Sequence, residues 1–288
     1  MSLLLDTVFE MIQLEYKQKE PAWTNVTADK NDIEFITREC NMNSDFDPLN
    51  TRMKMLQRMN NGEIIHQVLR CTYGQIFVIY DSPDQAYDIP WGLWARILRV
   101  YTERSKSAVN VPFKIYFLAN THKREFPVSG QIGPTNINGG YTYPCNHETI
   151  VIYRAEDATR VLLHELQHSA CLDHEELGID KVEAETEAWA ELFYCAFLSH
   201  GDKGLFHLMI SAQSKWIFAQ NARVRAYINK TQAFPWRYTV GKEFVWRRWG
   251  ILVESDAIGY RINSLRLTAP PSISLKNYFG VTPNSVIL

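Results

Sequence analysis

Residues 160–174 contain a spacing that is typical of a metal-binding helix. At its centre stands His164-Glu165-Leu166-Gln167-His168, with two histidines four positions apart. In an α-helix such residues lie one turn apart on the same face, so both imidazoles can bind a single zinc ion. Glu165 is rotated by about 100° from His164. Its carboxylate can therefore lie beside the metal without binding it, placed to take a proton from a zinc-bound water molecule.

Catalytic zinc usually has three protein ligands and one water molecule, so a third residue must complete the set. One candidate is His174, which extends the motif to HExxHxxCxxH and resembles the metzincin pattern HExxHxxGxxH. In that pattern a glycine lets the chain leave the helix in a turn that a Cβ atom disfavours. Here Cys171 stands in its place. Because the glycine is missing, we expect His174 to be a solvated residue near the helix end. A metzincin-like site with His174 as third ligand is the alternative.

The other candidate lies on the next predicted helix. Asp180 and Glu183 have the spacing of a capping box, which predicts that this helix begins at Asp180 and gives Glu183 a capping role. Farther along, Glu187 follows His168 after a gap of 18 residues. Several glutamates crowd this stretch, so the spacing alone leaves the choice of ligand open.

The pattern HExxH-x18-E, with the string Glu-Ala-Trp-Ala-Glu at 187–191, resembles the gluzincin metallopeptidases and, in its spacing, their M1 aminopeptidase branch. The resemblance covers residues 139–195. It implies a zincin fold, one Zn²⁺ ion held by His164, His168 and Glu187, and hydrolysis of peptide bonds with Glu165 as general base. It also implies that Glu191 orients a ligand imidazole, whereas a surface charge on an amphipathic helix is the alternative. The chain has no GAMEN-like segment such as M1 exopeptidases use, so exo- and endopeptidase action both stay open.

Two further parts of such a site have candidates. Residues 138–143 precede a buried strand and could be the edge strand that in zincins pairs with an extended substrate. Gly140 and Tyr141 are then the expected substrate-binding residues, and a plain Gly-Gly turn is the alternative. Gluzincins also use a downstream Tyr or His to stabilise the oxyanion; Tyr260 is the first candidate here, ahead of Tyr238.

The elements that must position these residues predict an α+β, zincin-like fold. Apolar runs at 64–71 and 75–80 flank a Tyr-Gly pair and predict a β-hairpin. Pro90 begins a predicted helix that backs the sheet, and strands are predicted at 113–118 and 149–153. Helices follow at 156–172, 181–199 and 203–229. We therefore expect a small mixed β-sheet with a backing helix and the active-site helix in residues 1–178, and a mainly helical subdomain in residues 179–288 that supplies the third zinc ligand.

Composition limits the classes of partner and location. The 288 residues carry a net charge of −2, which gives no reason to expect a nucleic-acid partner. No apolar run approaches the roughly 18–20 residues of a membrane-spanning helix. The five cysteines are odd in number and form no CxxC pair, which argues against a disulfide framework. With no signal peptide recognised, they favour an intracellular, cytoplasmic location. The expected partner is a peptide or protein substrate, and a non-catalytic zincin-fold protein is the alternative function.

Overall fold

The computed structural model describes residues 3–82, 89–106, 111–228, 233–252, 262 and 264–269. These residues form two compact units of a mixed α+β structure. We call them the sheet unit, which is the described part of 20–123 and 138–172, and the helical unit, which is the described part of 3–19, 124–137 and 173–269. The chain therefore enters each unit more than once.

A six-stranded mixed sheet is the centre of the sheet unit. Its strands are β1 (Thr24–Val26), β2 (His66–Cys71), β3 (Gly74–Tyr80), β4 (Phe113–Ala119), β5 (Gly140–Tyr141) and β6 (Ile150–Ile152). They lie in the order β1-β2-β3-β4-β6-β5. β3, β4 and β6 run parallel, whereas β1–β2, β2–β3 and β5–β6 pair antiparallel. The predicted hairpin is confirmed as β2–β3, and the short β5 forms one edge of the sheet.

Helices cover both faces of this sheet. The sheet unit contains α2 (Lys30–Asn41), α3 (Thr51–Asn60), α4 (Trp91–Arg104) and α6 (Ala158–Ser169). On one face, Tyr116 of β4 joins a buried cluster with Phe35 of α2 and Met55 of α3. The next residue, Phe117, points to the opposite face, as alternation along a strand requires. There its ring lies 5.6 Å from that of Trp94 on α4, so α4 is the backing helix.

The helical unit contains the remaining helices of the described chain. They are α1 (Leu3–Lys17), α5 (Pro134–Ile137), α7 (Ile179–Leu198), α8 (Lys203–Val224), α9 (Ala233–Tyr238) and α10 (Val240–Arg248), with a 3₁₀ turn at Glu175–Leu177. α7 is nearly all buried along its second half, which is typical of a central helix with neighbours on several sides. Among the described residues, no helix is both long and apolar enough to cross a membrane.

A disulfide joins Cys145 to Cys171, although the number and spacing of the cysteines argued against a disulfide framework. The odd total does not prevent it, because Cys40, Cys71 and Cys195 stay free and buried. Connectivity depends on the fold rather than on sequence spacing, and here 26 residues separate the partners. The cysteine argument for an intracellular location is thereby removed.

We expect the double substitution Cys145→Ser/Cys171→Ser to lower the free energy of unfolding by about 3 kcal/mol. The disulfide lowers the conformational entropy of the unfolded chain, and for a closed loop of this length the effect corresponds to about this free energy. Denaturant unfolding of wild type and variant measures the difference. A reducing agent should destabilise the wild type to the same extent and leave the variant unchanged; an equal response of both proteins would contradict the prediction.

Candidate metal centre

The two motif histidines lie together on the predicted helix. His164 and His168 occupy successive turns of α6, and their Nε2 atoms lie 3.1 Å apart. Two nitrogen ligands of one tetrahedral zinc ion, each at about 2.0–2.1 Å, are separated by about 3.3 Å. The imidazoles are thus already close to the separation that a shared metal ion needs.

Helix α6 is held in place by polar contacts with α4. The indole Nε1 of Trp94 donates to Oγ1 of Thr159 at 2.8 Å. Farther along α4, the hydroxyl of Tyr101 donates a hydrogen bond to the carbonyl of Leu163 at 3.2 Å. It also accepts one from Nε2 of Gln167 at 2.7 Å. Burial raises the pKa of Tyr101 above its ordinary value, so the hydroxyl stays protonated and can donate. These bonds fix the rotation of α6 and with it the direction of the histidines.

Glu165 lies against the edge of the sheet. Its side chain is buried, and a Cβ atom added to Gly140 of β5 would lie 3.1 Å from its Oε1 atom. β5 is the last strand in the sheet order. One of its two edges therefore has no strand beside it among the residues that the structure describes. The carboxylate therefore lies against β5, and the expectation that residues 138–143 bind an extended substrate stays a prediction.

The Tyr141 side chain is anchored inside the sheet unit. Its hydroxyl accepts a hydrogen bond from Nη1 of Arg52 and donates to Oε2 of Glu39 at 3.0 Å. Burial raises the pKa of Tyr141 above its ordinary value, which keeps the hydroxyl a donor. The predicted substrate-binding role of Tyr141 therefore concerns its backbone in β5, because its hydroxyl already has two partners.

We expect Gly140→Ala to lower the free energy of unfolding by about 1–3 kcal/mol, the usual effect of overpacking. An added Cβ would lie 2.6 Å from Cγ1 of Val161 on α6 and 3.0 Å from the carbonyl of Val151, so helix and strand must move apart. Gly133→Ala is the matched control, since nothing lies within 4 Å of an added Cβ there. Chemical denaturation of both variants measures the effect, and equal stabilities would contradict the prediction.

The end of α6 adopts a left-handed turn, although a cysteine at this position disfavours it. Cys171 has φ 57°, the left-handed conformation that a glycine usually supplies. Its N–H donates to the carbonyl of His168 at 3.1 Å, and the N–H of Leu172 donates to that of Gln167 at 3.0 Å. This is the bonding pattern of a Schellman motif. The argument that a cysteine prevents the metzincin-like turn is therefore wrong.

The turn nevertheless does not make His174 a ligand in this structure. Its side chain is 59% exposed, and its Nδ1 atom lies 3.8 Å from the carboxylate of Glu185 on α7. The group of described residues that could hold a metal ion does not include it.

The predicted capping box at the start of α7 is wrong. The N-cap residue is Gly178, with φ 74° and no side-chain cap, and Asp180 lies inside the helix. Nε of Arg237 donates to the Asp180 carboxylate at 2.5 Å. Glu183 is therefore not a capping residue. Its carboxylate is the oxygen donor in the set His164, His168 and Glu183, which could hold a metal ion.

Two imidazoles and one carboxylate are a set of ligands compatible with a metal site. Nitrogen and oxygen donors in this ratio are a common ligand set of catalytic zinc. His164 is buried, and His168 and Glu183 are partly buried. The sequence did not indicate Glu183 as a ligand, because its spacing from Asp180 is that of a capping box.

Glu187 and Glu191 form a second buried cluster with a lysine that the sequence did not point to. Glu183, Glu187 and Glu191 follow one face of α7 at intervals of one turn. Nζ of Lys242 on α10 donates to Oε2 of Glu191 at 3.1 Å and lies 3.8 Å from Oε2 of Glu187. Glu191 is fully buried, so the interpretation of this residue as a surface charge is wrong.

Of the two tyrosines that are candidates for oxyanion stabilisation, the structure describes only Tyr238. Tyr260 lies outside the described residues. Tyr238 ends α9, and its ring lies 5.3 Å from that of Phe234. The Tyr260 expectation stays a prediction.

Comparison with protein-family models, curated proteins and solved structures found no match.

Proposed function

We propose that the protein is a zinc-dependent metallopeptidase of gluzincin type. The observation that carries the proposal is the arrangement in the sheet unit: two imidazole Nε2 atoms 3.1 Å apart on α6, with the Glu165 carboxylate directly beside edge strand β5. A metal site, a general base and a sheet edge suited to an extended chain are the three parts that peptide hydrolysis by a zincin requires.

The fold supports the zincin resemblance. The HExxH helix follows strand β6 and packs on the sheet beside β5, which runs antiparallel to its neighbour at the sheet edge. An exposed strand edge can bind an extended peptide through main-chain hydrogen bonds. The substrate we propose is therefore a peptide or protein segment in extended conformation.

His164, His168 and Glu187 are the proposed zinc ligands. Glu187 has the gluzincin spacing, is 2% exposed and has an outer partner in Lys242, and ligating carboxylates usually have such a partner. Glu183 is the competing third ligand, because it is the glutamate that the structure groups with the histidines. Zinc bound there would supply Lewis acidity, polarising a carbonyl and lowering the pKa of its water to about 7.

The chain's own residues perform the remaining work. Glu165 takes a proton from the attacking water, whose oxygen bonds to the carbonyl carbon of the substrate. The same carboxyl group then gives this proton to the leaving nitrogen as the C–N bond breaks. The backbone of β5 holds the substrate so that its carbonyl carbon lies beside Glu165.

A zinc-dependence assay tests the proposal. The full chain is measured for metal content by mass spectrometry and incubated with a pool of quenched fluorescent peptides of varied sequence. We expect about one zinc ion per chain, cleavage that a chelator abolishes, and recovery when zinc is restored. Stoichiometric zinc without cleavage of any peptide would favour a non-catalytic zincin-fold protein and overturn the proposal.

A further inference from the structure

Lys242 is a buried cation within the helical unit. Its side chain is 2% exposed, and its Nζ atom donates to Oε2 of Glu191 at 3.1 Å and to the carbonyl of Leu267 at 2.8 Å. The Oε2 atom of Glu187 lies 3.8 Å away. An ammonium group has three donors and no acceptor, so this lysine joins two carboxylates of α7 to a backbone carbonyl of a distant segment.

Burial of these three charges has to be compensated. An ionised side chain removed from water is strongly destabilising unless it is paired and hydrogen-bonded. Glu187 and Glu191 are one turn apart on the same helix face, where like charges repel. Lys242 reduces this repulsion, because its ammonium group lies within ion-pair distance of both carboxylates.

Helix α10 also contains a residue for comparison, which separates an effect on the orientation of Glu187 from an effect on the stability of the fold. The neighbouring Glu243 is also buried, but it points to another cluster. It accepts from Nδ2 of Asn221 at 3.0 Å and from Nη2 of Arg225 at 2.6 Å. Glu243 therefore holds α10 to the end of α8 and has no described contact with Glu187 or Glu191.

We propose that Lys242 is a positioning residue of the zinc site, which holds Glu187 in its ligating orientation and fixes Glu191 behind it. This inference depends on the proposed function, because it takes Glu187 as a zinc ligand. Loss of such an outer partner typically lowers metal affinity by about 10–100-fold. A lysine that served stability alone would not produce this loss.

Zinc affinity and the cobalt spectrum test the proposal on the full chain. Lys242→Met removes the charge and keeps the length of the side chain, and Glu243→Gln is the matched control on the same helix. The dissociation constant for zinc is measured by competition with a chromophoric chelator. The visible absorption of the Co²⁺-substituted protein reports the number and geometry of the ligands. Thermal unfolding of the metal-free proteins reports the loss of stability.

We expect both variants to lose stability and only Lys242→Met to change the metal site. Its dissociation constant for zinc should rise by about 10–100-fold, with an altered cobalt spectrum. Wild-type affinity and spectrum in Lys242→Met, or the same loss in Glu243→Gln, would overturn the proposal. If Lys242→Met fails to fold, Lys242→Gln and Glu191→Gln replace it. Each is compared with Glu243→Gln in the same way, and each keeps a polar group at both ends of the Lys242–Glu191 contact.

The outcomes for the wild type separate this inference from the proposed function. Wild-type protein that binds zinc and cleaves no peptide overturns the peptidase function alone, and the metal affinities still decide the role of Lys242. Wild-type protein that binds no zinc overturns both.

Discussion

Replacing Glu165 by Gln is expected to reduce peptide cleavage by about 10²–10⁴-fold, the usual contribution of a general acid–base group. Glutamine has nearly the same shape but cannot take up the proton of the attacking water. Because Glu165 is not a proposed ligand, the variant should bind zinc like the wild type. The side chain lies against β5, and the amide keeps that packing, so the fold should persist. Initial cleavage rates and zinc content of the two proteins measure the effect.

Glu148→Gln is the matched control for this experiment. Glu148 belongs to the same unit, and its side chain is 54% exposed and 3.8 Å from Nζ of Lys114. Its amide variant should cleave peptides at the wild-type rate. Cleavage by Glu165→Gln at the wild-type rate would remove Glu165 from the mechanism.

Loss of a zinc ligand is the second large effect that we expect. His164→Ala and His168→Ala each remove one of the two imidazoles that already lie at the separation a shared ion needs. Zinc affinity should fall by more than the roughly 10–100-fold that loss of an outer partner causes. Competition with a chromophoric chelator measures the affinity. The exposed His174 is the control, and His174→Ala should bind zinc like the wild type.

The same measurement identifies the third ligand. Glu187→Gln should lose zinc affinity to a similar extent as the histidine variants, and Glu183→Gln should lose less. A larger loss in Glu183→Gln would transfer the role to the glutamate that the structure groups with the histidines. A large loss in His174→Ala would instead restore the metzincin-like alternative.

Local patterns in the sequence predicted the elements that form within a few residues of each other. The helix that carries His164 and His168, and the hairpin β2–β3, both depend on periodicity and turn residues that are contiguous in the chain. The sequence left an edge strand and a plain Gly-Gly turn open for residues 138–143, and the structure has the short strand β5 there. Its closeness to Glu165 depends on the packing of α6, which no local pattern contains.

Features that depend on distant residues escaped prediction. The start of α7 was misplaced because Asp180 matched a capping box, whereas the Asp180 carboxylate binds Arg237, 57 residues later. Cys171 adopts a left-handed turn in which glycine is preferred, and its disulfide partner Cys145 lies in the β5–β6 loop, far away in the sequence. Lys242 has no motif at all; its importance follows from the two carboxylates that it contacts.

The most direct test of the central claim is the X-ray absorption spectrum of the zinc-loaded protein at the zinc edge. We predict one zinc ion with two imidazole nitrogens at about 2.0–2.1 Å, a carboxylate oxygen and one further oxygen from water. The imidazole signal should fall by half in His168→Ala. A spectrum with sulfur ligands, or one unchanged in His168→Ala, would show that the metal binds elsewhere and would contradict the account.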